Sequence, residues 1–190
     1  NPYGPSPLAL AAMRAELSDD LRLYPDPNSD RLKQAVATYY GVPAAQVFVG
    51  NGSDELLQII ALAFLDSGDS VITSQCTFSE YEFAAKIMGA LVHKVPLSHW
   101  TYDLEAMLTA VTPQTKLVFI ANPNNPTGTY LSHEQVASFL ERLPRRVIVV
   151  LDEAYAEYGR SSDYPQTLRL IKQFPNLIVL RTFSKIYGLA

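Results

Sequence analysis

The chain has 190 residues, of which 48% are apolar and 18% charged, a globular balance unlike that of a disordered chain. A formal net charge of −4 with no basic run beyond Arg145-Arg146 argues against nucleic-acid or anionic-membrane partners. The single cysteine, Cys76, excludes an intrachain disulfide framework and a cysteine-rich zinc site, and fits a reducing cytoplasm.

In chain order, Asn1 to Pro7 is an extended opening rich in proline, and a helix is predicted from Leu8 to about Leu17. Pro25 and Pro27 bar helix over residues 22–28. Asn28 or Ser29 is the expected cap of a helix over Asp30–Tyr40, which Gly41 ends. Val47–Val49 reads as a short strand, Gly50-Asn51-Gly52 as a turn, and Ser53 or Asp54 as the start of an apolar helix to Leu65. Further strands are predicted over 70–74, 91–95, 117–121, 147–151 and 177–180. Helices are predicted over 79–88, 104–110, 132–143 and 167–174, with Ser132 and Gln135 at capping-box spacing.

Strands that are apolar on both faces and alternate with helices indicate an α/β fold. Its sheet is mostly parallel and sandwiched by helices. About the first 30 residues fall outside this rhythm and form an N-terminal arm. The apolar stretches are short and interrupted, so no transmembrane helix is expected. The chain opens on Asn1 and closes on the apolar Ile186–Ala190, the pattern expected of a segment from a longer protein.

Open parallel sheets bind ligands at the carboxyl ends of their strands. Four polar clusters follow predicted strands: Gly50 to Glu55, Asn122 to Gly128, Asp152 to Tyr155, and Arg181 to Lys185. Intervals of 27 residues from Asn125 to Asp152 and 33 from Asp152 to Lys185 each match one strand-helix-strand crossover. These residues can therefore share one rim. The Gly50–Asp54 turn offers backbone N–H groups to an anion at a helix start, and equally reads as a tight turn with an Asp cap. It is neither a Walker A loop nor a full dinucleotide fingerprint. Asp152, after an apolar strand, needs a cationic or donor partner. A lysine at similar depth would be nucleophilic toward a carbonyl, and a plain Asp–Lys ion pair is the alternative.

Asn122-Pro123-Asn124-Asn125-Pro126-Thr127-Gly128, Asp152-Glu153-Ala154-Tyr155 and Thr182-Phe183-Ser184-Lys185 together resemble the class I/II, fold-type I pyridoxal-phosphate aminotransferases. Asn1 to Pro7, Tyr24-Pro25-Asp26 and Asn51 to Glu55 narrow the resemblance to the histidinol-phosphate aminotransferase group, across the whole chain.

The resemblance implies pyridoxal 5'-phosphate as cofactor and amino transfer between L-histidinol phosphate and 2-oxoglutarate. Lys185 resembles the Schiff-base lysine that also shuttles the substrate proton. Asp152 matches the carboxylate that pairs with the pyridinium nitrogen. Tyr155 and Asn125 match the groups that bind the ring 3'-oxygen. Gly52, Ser53 and Asp54 resemble the phosphate cradle, joined by Thr182 and Ser184. Tyr24 resembles a tyrosine that reaches the cofactor of the other subunit, which implies a homodimer. Tyr3, with Asn125, resembles the substrate side.

The usual Pro-Thr-Tyr run is here Cys76-Thr77-Phe78, so Phe78 is the expected ring-stacking residue, with Tyr81 the runner-up. Cys76 is expected to be a buried structural thiol. By the same resemblance, residues 1–30 are the arm and first helix, and residues 31–190 an incomplete cofactor-binding large domain. A C-terminal small domain and an antiparallel strand lie beyond residue 190, which would leave a gap in the sheet.

Aromatic amino acid aminotransferase, threonine-phosphate decarboxylase and a non-catalytic aminotransferase-like domain are the alternatives within this fold. His93, His99 and His133 lack metal-ligand spacing and read as surface or loop residues. Trp100 and Tyr102 read as loop packing. Glu153 is expected to face a hydrogen-bond partner rather than the cofactor.

Overall fold

The computed structural model describes residues 1–17 and 19–190; Ser18, inside the expected arm, lies outside the described residues. The chain divides into two compact units, one made of residues 1–52 and 183–190, the other of residues 53–182.

The larger unit is built on five strands: β1 (Ser70–Ser74), β2 (Leu91–Val95), β5 (Thr115–Ala121), β6 (Ile148–Asp152) and β7 (Leu177–Leu180). They form one sheet in the order β2-β1-β5-β6-β7, with every neighbouring pair parallel. A two-residue hairpin of β3 (Leu97–Ser98) and β4 (Thr101–Tyr102) stands apart from it.

Successive side chains of a strand point to opposite faces, and each face has its own core. On one face Ile72, Val118, Ile120, Val149 and Leu151 pack against Met107 of α5 (Leu104–Thr109), Phe139 of α6 (His133–Arg142) and Leu170 of α7 (Thr167–Gln173). On the other, Val71, Leu117, Phe119, Ala121 and Val150 pack against Leu57 of α3 (Gly52–Phe64) and Tyr81 of α4 (Glu80–Ile87). The expected helix-sheet-helix sandwich is therefore present. The Ser132–Gln135 capping box that starts α6 is formed in full.

The smaller unit holds α1 (Pro7–Ala15) and α2 (Asp30–Tyr40). The expected Asn28 or Ser29 cap is not what starts α2. Ser29 is left-handed at φ 51° and makes no side-chain cap bond. The Asp26 carboxylate instead accepts from the backbone N–H groups of Asn28 at 3.0 Å and Asp30 at 2.7 Å. Val47–Val49 is also not a strand. Its unit contains no strand among the described residues, so an extended apolar run has nothing to pair with. Phe48 is exposed, with the Lys33 ammonium 5.5 Å from its ring centroid. The five paired strands are contiguous, and the sixth expected strand stays outside their ladder.

Candidate active site

Strand order reverses between β1 and β5, since the chain runs from β1 outward to β2 and then returns to β5, β6 and β7. Such a switch point opens a crevice at the carboxyl ends of the strands. Residues that follow β1 and β5 are tied across it. Asn124, buried, donates through Nδ2 to the Cys76 carbonyl at 3.1 Å and to Thr127 Oγ1 at 2.9 Å, and accepts from Thr77 Oγ1 at 2.8 Å. Tyr102 joins them: its hydroxyl lies 2.5 Å from Thr77 Oγ1 and accepts from the Ala121 N–H at 3.0 Å. Burial is the main reason its phenol is pushed up to about 12.

Asp152 is the last residue of β6, in register with Ala121 of β5 and Leu180 of β7. Alternation sends its side chain to the α3/α4 face. There Oδ2 accepts from the Tyr81 hydroxyl at 2.8 Å and Oδ1 from the Ala154 N–H at 3.0 Å. The carboxylate is 4% exposed. Its expected donor partner is thus a tyrosine 71 residues away.

Glu153, one residue on, turns to the α7 side. Its Oε2 accepts from Thr167 Oγ1 at 3.1 Å and from Arg181 Nε at 2.8 Å, while Arg181 Nη1 reaches Glu157 Oε1 at 3.2 Å. Oε1 is buried with no hydrogen-bond partner among the described residues. Burial outweighs the Arg181 charge and the Thr167 bond and pushes the Glu153 carboxyl up to about 7.

Of the residues singled out from sequence, Ser53, Asp54, Phe78, Asn125, Asp152, Tyr155 and Thr182 fall in the larger unit. The registers above put Asp152, the start of the Asn122–Gly128 loop and the Arg181–Thr182 step on one rim. Ser53 and Asp54 lie in the first turn of α3. Asn125, Tyr155, Thr182 and Phe78 are each half-buried.

Tyr81 is fully buried, with its ring parallel to Phe119 at 5.1 Å between centroids, so it offers no open face for stacking. Phe78 meets the Tyr81 ring edge-on at 5.7 Å. Cys76 is half-buried rather than buried, because it lies in the loop between β1 and α4 rather than in a core strand or helix.

Gly52, Tyr3, Tyr24, Ser184 and Lys185 fall in the smaller unit. Gly52 opens α3 at φ +75°, a backbone state that suits glycine. Lys185 precedes a segment held by the N-terminal turn. Asn1 Nδ2 donates to the Ile186 carbonyl at 2.8 Å, and Gly188, at φ +66°, lies so close to Gly4 that a Cβ there would sit 2.6 Å from its carbonyl carbon. Tyr3 and Tyr24 are 93% and 100% exposed.

Sequence reasoning passed over Asn124 and Thr77 as members of longer motifs. Their part-buried pairing needs the sheet order, not the sequence, to be seen. No group of three or more His, Cys, Asp or Glu residues that could hold a metal ion occurs among the described residues.

Residues 1–190 match the aminotransferase class I and II family. A histidinol-phosphate aminotransferase from Geobacillus sp. (strain WCH70) is 50% identical over 190 residues, all of this chain and 52% of that protein. One from Moorella thermoacetica is 48% identical over 191 residues, covering 100% of this chain and 49% of that protein. Among solved structures, the histidinol-phosphate aminotransferase of Sinorhizobium meliloti in complex with pyridoxal-5'-phosphate is 36% identical. It superposes with a TM-score of 0.90 over 98% of this chain and 50% of that one. The chain spans about half the length of the curated relatives it matches. With the parallel sheet, its switch in strand order and the buried rim carboxylate in place, the match over all 190 residues establishes that the chain belongs to the aminotransferase class I and II family.

Proposed function

We propose that the full-length protein carrying this chain is a pyridoxal-phosphate-dependent histidinol-phosphate aminotransferase. It moves an amino group between L-histidinol phosphate and 2-oxoglutarate in a ping-pong sequence. The observation that carries this reading is Asp152: a carboxylate almost sealed from water, hydrogen-bonded at both oxygens, at the switch-point rim of a chain of this family.

The donor set suits the cofactor. Hydrogen bonds to both oxygens favour the ionised carboxylate, which is what a protonated pyridine nitrogen requires. The first turn of α3, with Gly52, Ser53 and Asp54, supplies N–H and hydroxyl groups for a phosphate, and Thr182 and Ser184 add hydroxyls. Phe78 supplies an aromatic face. When bound, the cofactor acts as an electron sink for the charge left at the substrate Cα.

In this reading Asp152 keeps the ring nitrogen protonated, and Tyr155 and Asn125 orient the ring through its 3'-oxygen. Lys185 Nζ anchors the cofactor, then takes and returns the proton at the substrate Cα. Asn125 and Tyr3 face the substrate.

Tyr24 reaches the cofactor phosphate of a second copy, which makes the enzyme a homodimer. The exposed Leu8 and Met13 of α1, a helix with no buried residue, support that part of the reading. Residues 1–30 serve as the arm and residues 31–190 as most of the cofactor-binding large domain, with a small domain completing the enzyme. No helix among the described residues is long and apolar enough to cross a membrane. In this reading the enzyme works in the cytoplasm.

In full-length protein reconstituted with pyridoxal phosphate, Lys185→Ala is expected to abolish the absorbance at the visible edge. It should also lower amino transfer by about a thousandfold or more. The specificity constant should be higher for histidinol phosphate than for phenylalanine or threonine phosphate. An unchanged spectrum in the variant overturns the lysine assignment, and a preference for either competitor overturns the substrate.

A further inference from the structure

The Asp152 carboxylate is held from the α4 side by a side chain with no freedom of its own. Tyr81 is 0% exposed. Its ring lies 3° from parallel with Phe119, and Phe78 closes on it at 84°. With the ring locked, the hydroxyl has one fixed position, and it donates to Asp152 Oδ2 at 2.8 Å. Burial, and then the neighbouring carboxylate, raise the phenol well above its ordinary 10, so it remains a donor across the neutral range.

A carboxylate at a strand end turns about two side-chain torsions. A hydrogen bond to each oxygen, one from backbone and one from a packed phenol, removes both freedoms. The same ring also packs perpendicular to Phe78. One buried side chain thus touches both residues that the proposed function assigns to the pyridine ring, its nitrogen partner and its stacking face.

We propose that Tyr81 is a positioning residue, whose buried hydroxyl fixes the Asp152 carboxylate for the pyridine nitrogen while its ring packs perpendicular to Phe78. The inference rests on the reading of Asp152 as the partner of that nitrogen. Tyr81 is sealed in the core, so it acts through Asp152 and Phe78. Tyr81→Phe keeps the ring on Phe119 and removes only the hydroxyl, which separates orientation from packing.

The test is equilibrium binding to full-length apo-protein, followed by fluorescence, with two probes: pyridoxal phosphate and its 1-deaza analogue, which lacks the ring nitrogen. Tyr81→Phe should raise the dissociation constant of pyridoxal phosphate about tenfold, the scale of a hydrogen bond to a charged group. It should change that of the deaza analogue by less than about twofold, since the pathway through Asp152 is silent there. In an Asp152→Asn background, adding Tyr81→Phe should produce no further loss.

Equal weakening of both probes, or an additive double variant, overturns the inference and makes Tyr81 a packing residue only. If Asp152→Asn weakens pyridoxal phosphate while Tyr81→Phe does not, the inference falls and the Asp152 reading stands. Binding unchanged in Asp152→Asn overturns both.

Discussion

Asp152 and Glu153 are adjacent carboxylates, both buried, and strand alternation places them in opposite halves of the same protein. On the α3/α4 side, Asp152 meets a neutral, aromatic setting of Tyr81 and Phe119, with a hydrogen bond at each oxygen. On the α7 side, Glu153 meets a cation shared with Glu157, a threonine hydroxyl, and an oxygen with no partner among the described residues. Burial alone therefore does not define a carboxylate's role. The donors around it decide whether the charged form is held ready or merely tolerated. Asp152 has donors at both oxygens and suits a cationic ligand. Glu153 has its charge opposed by desolvation and serves to join the end of β6 to the end of β7 through Arg181.

Three variants press on this contrast. The largest effect is expected from Phe119→Ala, which empties the packing under Tyr81 and should cost about 4 kcal/mol of unfolding free energy by denaturant titration. A cost below about 1 kcal/mol would mean that Phe119 does not support the Tyr81 ring.

Arg181→Met comes next. It leaves Glu153 with Thr167 as its remaining named donor and should cost about 3 kcal/mol at pH 8, where the carboxyl must otherwise ionise in a buried site. At pH 5 a protonated Glu153 needs no cation, so the cost should shrink. Equal cost at both pH values would place the value of Arg181 in its packing rather than its charge.

Glu153→Gln should have the smallest effect, read as a slope rather than a loss. A carboxyl raised to about 7 in the fold, from an ordinary 4.5, binds its proton more tightly folded than unfolded. Its contribution to stability is full below about pH 4.5 and disappears as pH rises through about 7. The melting temperature of the parent protein, relative to Glu153→Gln, should therefore fall by a few degrees across that window. The charged and polar groups facing Glu153 are Arg181, Glu157, Thr167 and Tyr164, and the slope reports their balance. A difference that rises with pH would reverse the assignment.

Much of the fold was legible because its strands are apolar on both faces and its helices carry their own stops. Residues 70–74, 91–95 and 177–180 form strands with the expected bounds, and α2 spans the expected Asp30–Tyr40. Less legible were features whose cause lies elsewhere in the chain. Val47–Val49 has strand composition without a partner strand in its unit. The β3/β4 hairpin turns through His99 and Trp100 at positive φ, where a reader looks for glycine or asparagine. Thr115 and Lys116 lengthen β5 although neither is apolar.

The rim loops were legible as chemistry, since polar clusters after apolar strands stand out. Their supports were not. Tyr81 and Asp152 are 71 residues apart, and Asn124 is 48 from the Cys76 carbonyl it binds. Such pairs become neighbours only once β1 and β5 are placed side by side.

The bond from Asn1 to the Ile186 carbonyl spans 185 residues of chain, and the Gly4–Gly188 approach lies beside it. A ribosome delivers the first member of each pair long before the second. Through the synthesis of all five strands, the opening turn waits for this docking surface, and the last few residues before Ala190 supply it. The opening turn is thus made long before the residues that fasten it. A nascent chain halted before Ile186 should keep residues 1–4 open to a protease that the longer chain resists.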